Sequence, residues 1–129
     1  VDVICMVTSA KKPVVLSQWV PPGCFVAGLH SFHDLDPKLS KSADKWILGE
    51  RESDMQTIVQ YDGYTMKLSK EDVYGDLGEI ITGKRAGRET DSERIVFTHA
   101  GMGSIDVTTG FLAYEKAKKK KLGIKIRLF

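Results

Sequence analysis

Apolar residues along this chain arrive in short dense runs separated by polar, turn-rich stretches, and the runs alternate between strand and helix patterns. Val1 to Val7 is nearly continuous and carries one acid, the pattern of a parallel strand covered on both faces. It ends at Thr8-Ser9-Ala10-Lys11-Lys12-Pro13, so two hydroxyls stand at a strand's carboxyl end, the edge where open α/β sheets bind ligands. A loop-capping role for Thr8 and Ser9 is the alternative. Val14 to Trp19 suits a short helical turn before Pro21-Pro22-Gly23, and Cys24 to Leu29 reads as a second buried strand.

The polar loop from His30 to Pro37 follows at the same edge, and Asp36 with Pro37 marks a helix start, an N-cap followed by proline in the first turn. Lys45 to Leu48 makes a third strand, ending at Gly49-Glu50. Glu52 to Val59 suits a helix and Tyr61-Asp62-Gly63-Tyr64 a turn. Ser69 with Asp72 resembles a capping box, and Leu77 to Lys84 a short helix closed by Gly83. Lys84 to Glu93 is charged and turn-rich, an exposed loop whose Arg88 is either a solvated surface residue or a grip for a phosphate or carboxylate.

The most informative stretch is Glu93 to Ala117. Arg94 to His99 carries the β-branched and aromatic run Ile95-Val96-Phe97, and a helical pattern begins at Ser104 and runs to about Lys121. Gly101-Met102-Gly103 sits at the crossing. Such glycines let backbone amides approach a ligand while the positive helix end faces it, although a tight turn without any ligand has the same signature. The dinucleotide fingerprint is incomplete: Asp106 replaces its third glycine, and Gly123-Ile124-Lys125-Ile126-Arg127 stands where an acidic ribose partner belongs. Lys118 to Lys121 complement the helix dipole and need no anionic partner. The closing Ile124 to Phe129 alternates apolar and basic residues, as a half-buried strand docked away from the parallel sheet does.

Strands alternating with helices predict an α/β layer around a parallel sheet, and three or four strands make half of a doubly wound one. A chain of 129 residues supports one such unit. Its 19 basic and 17 acidic residues are too balanced to argue for nucleic acid or an anionic membrane. The expectation is a soluble, cytoplasmic protein, with no run near the ~20 apolar residues of a membrane span and no signal peptide. Cys5 and Cys24 fit two buried thiols in a reducing compartment rather than a disulfide or metal site. His30 and His33 beside Asp34 and Asp36 have donors for a divalent metal, but a loop with chance histidines is the favoured reading, so no metal is expected. The chain opens inside an apparent strand without Met, which suggests the carboxyl part of something longer.

Several segments, in order, resemble the ornithine cyclodeaminase and mu-crystallin family of NAD(P)-dependent proteins. They are Asp2 to Ser9 with Lys12-Pro13-Val14, Trp19-Val20 with Pro22-Gly23, Leu35-Asp36, Leu77 to Ile81 with Gly83-Lys84, and Gly87-Arg88-Glu89 with Asp91 and Glu93. Val96-Phe97 leading to Gly101-Met102-Gly103 and Asp106-Val107, then Tyr114-Glu115 and Lys125 to Phe129, complete the series.

The resemblance implies the second half of a Rossmann-like doubly wound sheet over residues 1–103. It further implies, for residues 104–129, a carboxyl-terminal helix and strand returning to a substrate and dimerisation domain outside this chain. The implied chemistry is hydride transfer, with NAD or NADP as cofactor, at the carbon of an amino acid or imino acid, in a protein that is a homodimer at full length. Members include ornithine cyclodeaminase, alanine dehydrogenase of an archaeal type, and ketimine or pyrroline-carboxylate reductases; a non-catalytic binder of the mu-crystallin kind is the alternative. By resemblance, Thr8, Ser9, Ala27 and Gly28 face the cofactor, and His99, Gly101, Met102 and Gly103 lie at the carboxamide side of its nicotinamide. Many relatives carry Ser where His99 stands, and the cyclodeaminase branch carries Asp where Ser31 stands. Asp34 is the nearest carboxylate that could take that catalytic role, a cap on the following turn being the alternative. The glycine fingerprint, the substrate-gripping Lys and Arg residues, and the choice between NAD and NADP all belong upstream of these residues.

Overall fold

The strands of this protein run parallel and nearly in step, so their carboxyl ends form one edge. A computed structural model describes residues 1–29, 33–60 and 68–127. Its five-stranded sheet has the order β1-β2-β5-β3-β4, built from β1 (Val3–Met6), β2 (Phe25–Gly28), β3 (Lys45–Leu48), β4 (Gly75–Asp76) and β5 (Ile95–Thr98). Met6 pairs with Gly28, Gly28 with Thr98, Thr98 with Leu48, and Leu48 with Asp76. The chain therefore leaves every strand at the same side of the molecule.

Side-chain alternation divides the sheet into two unlike faces. Met6, Val26, Val96, Trp46 and Leu48 share one face, where Leu39 of helix α1 (Pro37–Ser42) and Met55 and Ile58 of helix α2 (Arg51–Gln60) close the core. Trp46 is only 2% exposed and its indole Nε1–H donates to Thr98 Oγ1 across 2.9 Å, which satisfies its one polar atom inside the core. On the other face, Phe25, Ile47, Ile95 and Phe97 line a cavity of about 420 Å³ together with Leu77 and Ile80 of helix α3 (Leu77–Ile81). Handedness explains the division. The chain moves from β2 to β3 to β4 with α1 and α2 on one face, then reverses from β4 to β5, and a right-handed crossover in that direction needs α3 on the opposite face.

Local chemistry fixes where these elements begin. Asp36 accepts from Lys38 N at 3.0 Å to cap α1, with Pro37 in the first turn as expected, and also takes Ser17 N at 3.0 Å. Asp76 and Glu79 form a reciprocal capping box on α3, and Gly83 takes a left-handed φ of 73° just beyond that helix. Ser69 and Asp72 form the other box, though on a short 3-10 turn, Lys70–Asp72.

The second face also carries a buried cation. Lys45 Nζ reaches Gly87 O, Glu89 Oε2 at 2.6 Å and Glu93 Oε1 at 3.1 Å, tying the 84–93 segment to β3. Burial alone would lower the Lys45 pKa, but hydrogen bonds to Glu89 and Glu93 outweigh it and leave the ammonium raised. Glu93 is held below the usual carboxylate range, first by the Glu89 backbone N–H and then by Lys45. The 84–93 segment is exposed, as expected, but anchored to β3, and Arg88 spends its guanidinium on the carbonyls of Thr90 and Glu93.

Several expectations need correction. The first strand is not covered on both faces: it is an outer strand with Val3 56% exposed, and Cys5, which shares that face, is exposed while Cys24 is buried. The sheet has five strands rather than three or four, because Gly75–Asp76 pairs with β3. Ile124 to Arg127 are exposed and lie in no strand, so the closing half-buried strand is absent from the described residues. The turn placed at Tyr61 to Tyr64 lies outside the described residues, as do His30 and Ser31. Helix α4 (Gly103–Lys119) has no buried residue among those described, and Val107, Phe111 and Tyr114 are all exposed.

Candidate functional site at the carboxyl edge of the sheet

The register puts the residues after β1, β2, β3 and β5 along one edge, and the candidate residues expected from sequence gather there. Thr8 follows β1; its hydroxyl donates to Asp34 Oδ2 at 2.9 Å and accepts from Ala10 N at 3.2 Å. Asp34 is 0% exposed, and its Oδ1 is buried with no hydrogen-bond partner among the described residues. Ser9, beside it, is exposed. The two hydroxyls thus part company: Thr8 fixes the turn and Ser9 stays open.

Ala27 and Gly28 close β2, and alternation separates them too. Ala27 is buried on the face of Phe97, while Gly28 lies between Met6 and Thr98, where an added Cβ would meet Met6 Cε and Thr98 Cγ2 at an ordinary 3.7 Å. The Gly28 carbonyl accepts from His99 N at 3.0 Å, which leads the chain out of β5 beside β2.

After His99 the chain turns through Gly101, whose φ of 109° favours glycine, into α4. An added Cβ at Gly101 or Gly103 would meet nothing within 4 Å, so open space borders this turn. Met102 is the N-cap residue and makes no side-chain capping bond. Ile105 N already donates to Met102 O at 2.9 Å, so it is the Gly103 and Ser104 amides, without a partner among the described residues, that are left to a ligand or to water.

His99 is the feature that departs most from a plain turn. It is 7% exposed, and its Nδ1 lies 3.1 Å from Asp54 Oδ2. Asp54, 1% exposed, also accepts from Gly49 N at 2.9 Å, Glu50 N at 3.0 Å and Ala100 N at 3.1 Å. One carboxylate thereby joins the end of β3, the start of α2 and the end of β5. Glu50 caps α2 beside it, held below the usual carboxylate range first by the Ser53 backbone N–H and then by that of Glu52. On its other side the His99 Nε2 is buried and has no hydrogen-bond partner among the described residues. Such an unmet group costs roughly 1–3 kcal/mol, which a ligand donor would restore. Asp54 was not legible as a site residue, because nothing in the sequence says that β5 inserts beside β3.

Residues 1–121 match the ornithine cyclodeaminase/mu-crystallin family. The chain belongs to that family. It is 30% identical to the alanine dehydrogenase of Archaeoglobus fulgidus over 99% of this chain and 41% of that protein. It is 28% identical to a Delta(1)-pyrroline-2-carboxylate reductase of Bacillus cereus over 97% of this chain and 40% of that protein. Among solved structures, an archaeal alanine dehydrogenase dimer with bound NAD superposes with a TM-score of 0.71 at 29% identity, covering 99% of this chain and 41% of the other. The chain thus spans about two-fifths of the length of these ornithine cyclodeaminase/mu-crystallin relatives. The family assignment agrees with the parallel α/β sheet found here.

The edge suits a nucleotide in two respects: helix-terminal amides stand beside glycines with open space, and a buried imidazole nitrogen has no hydrogen-bond partner among the described residues. Among the described residues no cluster of three or more His, Cys, Asp and Glu could hold a metal, and no helix is long and apolar enough to cross a membrane.

Proposed function

We propose that this chain is the second half of the cofactor domain, residues 1–103, and a carboxyl-terminal segment, residues 104–129, of an NAD(P)-dependent enzyme that reduces an imino acid or oxidises an amino acid. The observation that carries this reading is the shared carboxyl edge, along which Thr8, Gly28, His99, Gly101 and Gly103 follow neighbouring parallel strands. Relatives support it: they are named for alanine dehydrogenation and pyrroline-2-carboxylate reduction, and one was solved with NAD.

Within this reading the nicotinamide, when bound, supplies the hydride chemistry. This chain's residues hold and orient. Thr8 and Ser9 flank the cofactor at the end of β1, with Ala27 and Gly28 at the end of β2. Gly101, Met102 and Gly103 present backbone to it, and His99 takes its carboxamide end. Asp34 is the candidate proton-handling carboxylate. The bare apolar surface of α4 and the 104–129 segment pack on the substrate and dimerisation domain, making a cytoplasmic homodimer.

The complete polypeptide is expected to oxidise NADH or NADPH in the presence of pyrroline-2-carboxylate or a related cyclic imine, or to release ammonia from ornithine. Cofactor binding without turnover across a panel of amino and imino acids would instead favour a non-catalytic binder of the mu-crystallin kind. One observation favours that second reading: the Asp34 carboxylate is fully enclosed and tied to Thr8 rather than open to a substrate.

A further inference from the structure

Asp54 lies outside the residues that the cofactor reading names, and the geometry of its contact with His99 defines what His99 can do. Both Asp54 oxygens accept from backbone amides, those of Gly49 and Glu50 at Oδ2 and that of Ala100 at Oδ1. The proton shared with His99 therefore sits on the imidazole, and Nδ1 donates across 3.1 Å. A neutral imidazole that donates from Nδ1 presents a lone pair at Nε2. That Nε2 is buried and unmet among the described residues.

Gly49 completes the arrangement. A Cβ there would lie 2.0 Å from His99 Nδ1 and 2.3 Å from Cγ, so the ring occupies the volume that any other residue's side chain would fill. The three residues come from the end of β3, from α2 and from the end of β5.

We infer that Asp54 is the positioning residue of this site: it fixes His99 in the Nδ1–H tautomer over Gly49, so that Nε2 accepts an N–H from the ligand. The inference rests on the cofactor reading above. The polar substituent of a nicotinamide ring is a primary amide, and its amino group is the donor that suits a lone pair at Nε2. His99 then selects the orientation of that ring, and Asp54 acts only through His99.

The test uses the complete polypeptide and two probes, NADH and ADP-ribose, the latter lacking the nicotinamide, titrated by calorimetry. Asp54→Asn places an amide where the carboxylate was, so that Nδ1 becomes the acceptor and Nε2 carries the proton. His99→Asn keeps a donor for Asp54 but removes the distal nitrogen. Both variants are expected to bind NADH about tenfold more weakly, as the loss of one hydrogen bond implies. Both are expected to hold ADP-ribose as the unaltered protein does. Nitrogen NMR of histidine-labelled protein, which a purely structural contact would not move, is expected to show His99 protonated at Nδ1 in the unaltered protein and at Nε2 in Asp54→Asn. NADH affinity unchanged in both variants, or an Nε2–H tautomer in the unaltered protein, overturns the inference while leaving the cofactor reading intact. Failure of the unaltered protein to bind either probe overturns the cofactor reading and the inference with it.

Discussion

Replacing Gly49 with alanine is expected to destabilise the fold by about 3 kcal/mol, at the upper end for an over-packed interior. The cause is specific. The added methyl would stand 2.0 Å from His99 Nδ1, 2.3 Å from Cγ and 2.7 Å from Cε1, and no rotation of the ring about its own axis clears contacts on so many of its atoms. Swinging the ring away breaks its bond to Asp54 and exposes a buried carboxylate's partner side. A double-mutant cycle isolates the effect: in a His99→Ala background, Gly49→Ala is expected to cost less than about 1 kcal/mol, giving a coupling of roughly 2 kcal/mol. Urea unfolding of the four proteins measures it. Equal losses in both backgrounds would mean that the ring does not fill the glycine's space.

Trp46→Ala is expected to have an effect of similar or greater size, about 3–5 kcal/mol, by opening a cavity in the middle of the covered face. Trp46 lies on β3 between β5 and β4, 2% exposed, where Val96, Leu48, Leu39 and Met55 belong to the same buried cluster. The comparison with Trp46→Phe separates packing from polarity. Phenylalanine keeps most of the volume and loses only the Nε1–H bond to Thr98, so about 1 kcal/mol should go. Denaturation midpoints in which alanine and phenylalanine behave alike would place the stabilisation in the hydrogen bond and not in the core.

The strands that a reader of the sequence can place are those whose apolar runs are continuous, Cys24 to Leu29, Lys45 to Leu48 and Arg94 to His99, because burial on both sides leaves no alternation to misread. Helix starts were legible where a side chain must answer a backbone donor, at Asp36 and at the Ser69 and Asp72 pair. What escaped depends on neighbours. β4 is two residues, Gly75–Asp76, and earns its place only by pairing with β3. Val1 to Val7 looks doubly covered, yet Val3 and Cys5 are exposed because none of the described residues covers that side of the outer strand.

The site divides in the same way. Thr8, Gly28 and Gly101 could be found from their positions after strands, since every parallel strand delivers its carboxyl end to one edge. His99 could be found there too, but not its partner. Asp54 lies 45 residues away along the chain. It meets His99 only because β5 returns between β2 and β3, a matter of strand order that no local pattern encodes. The vacancy at Gly49 is equally silent in sequence, where a glycine after a strand reads as a turn.

The most direct measurement is amide hydrogen exchange of the complete polypeptide with and without NADH. The expected result is slowed exchange at residues 8–10, 28–29 and 99–104, which follow β1, β2 and β5 at the common edge. Slowed exchange confined to the opposite ends of these strands, or no change anywhere in this chain at saturating NADH, would contradict a cofactor site built on that edge.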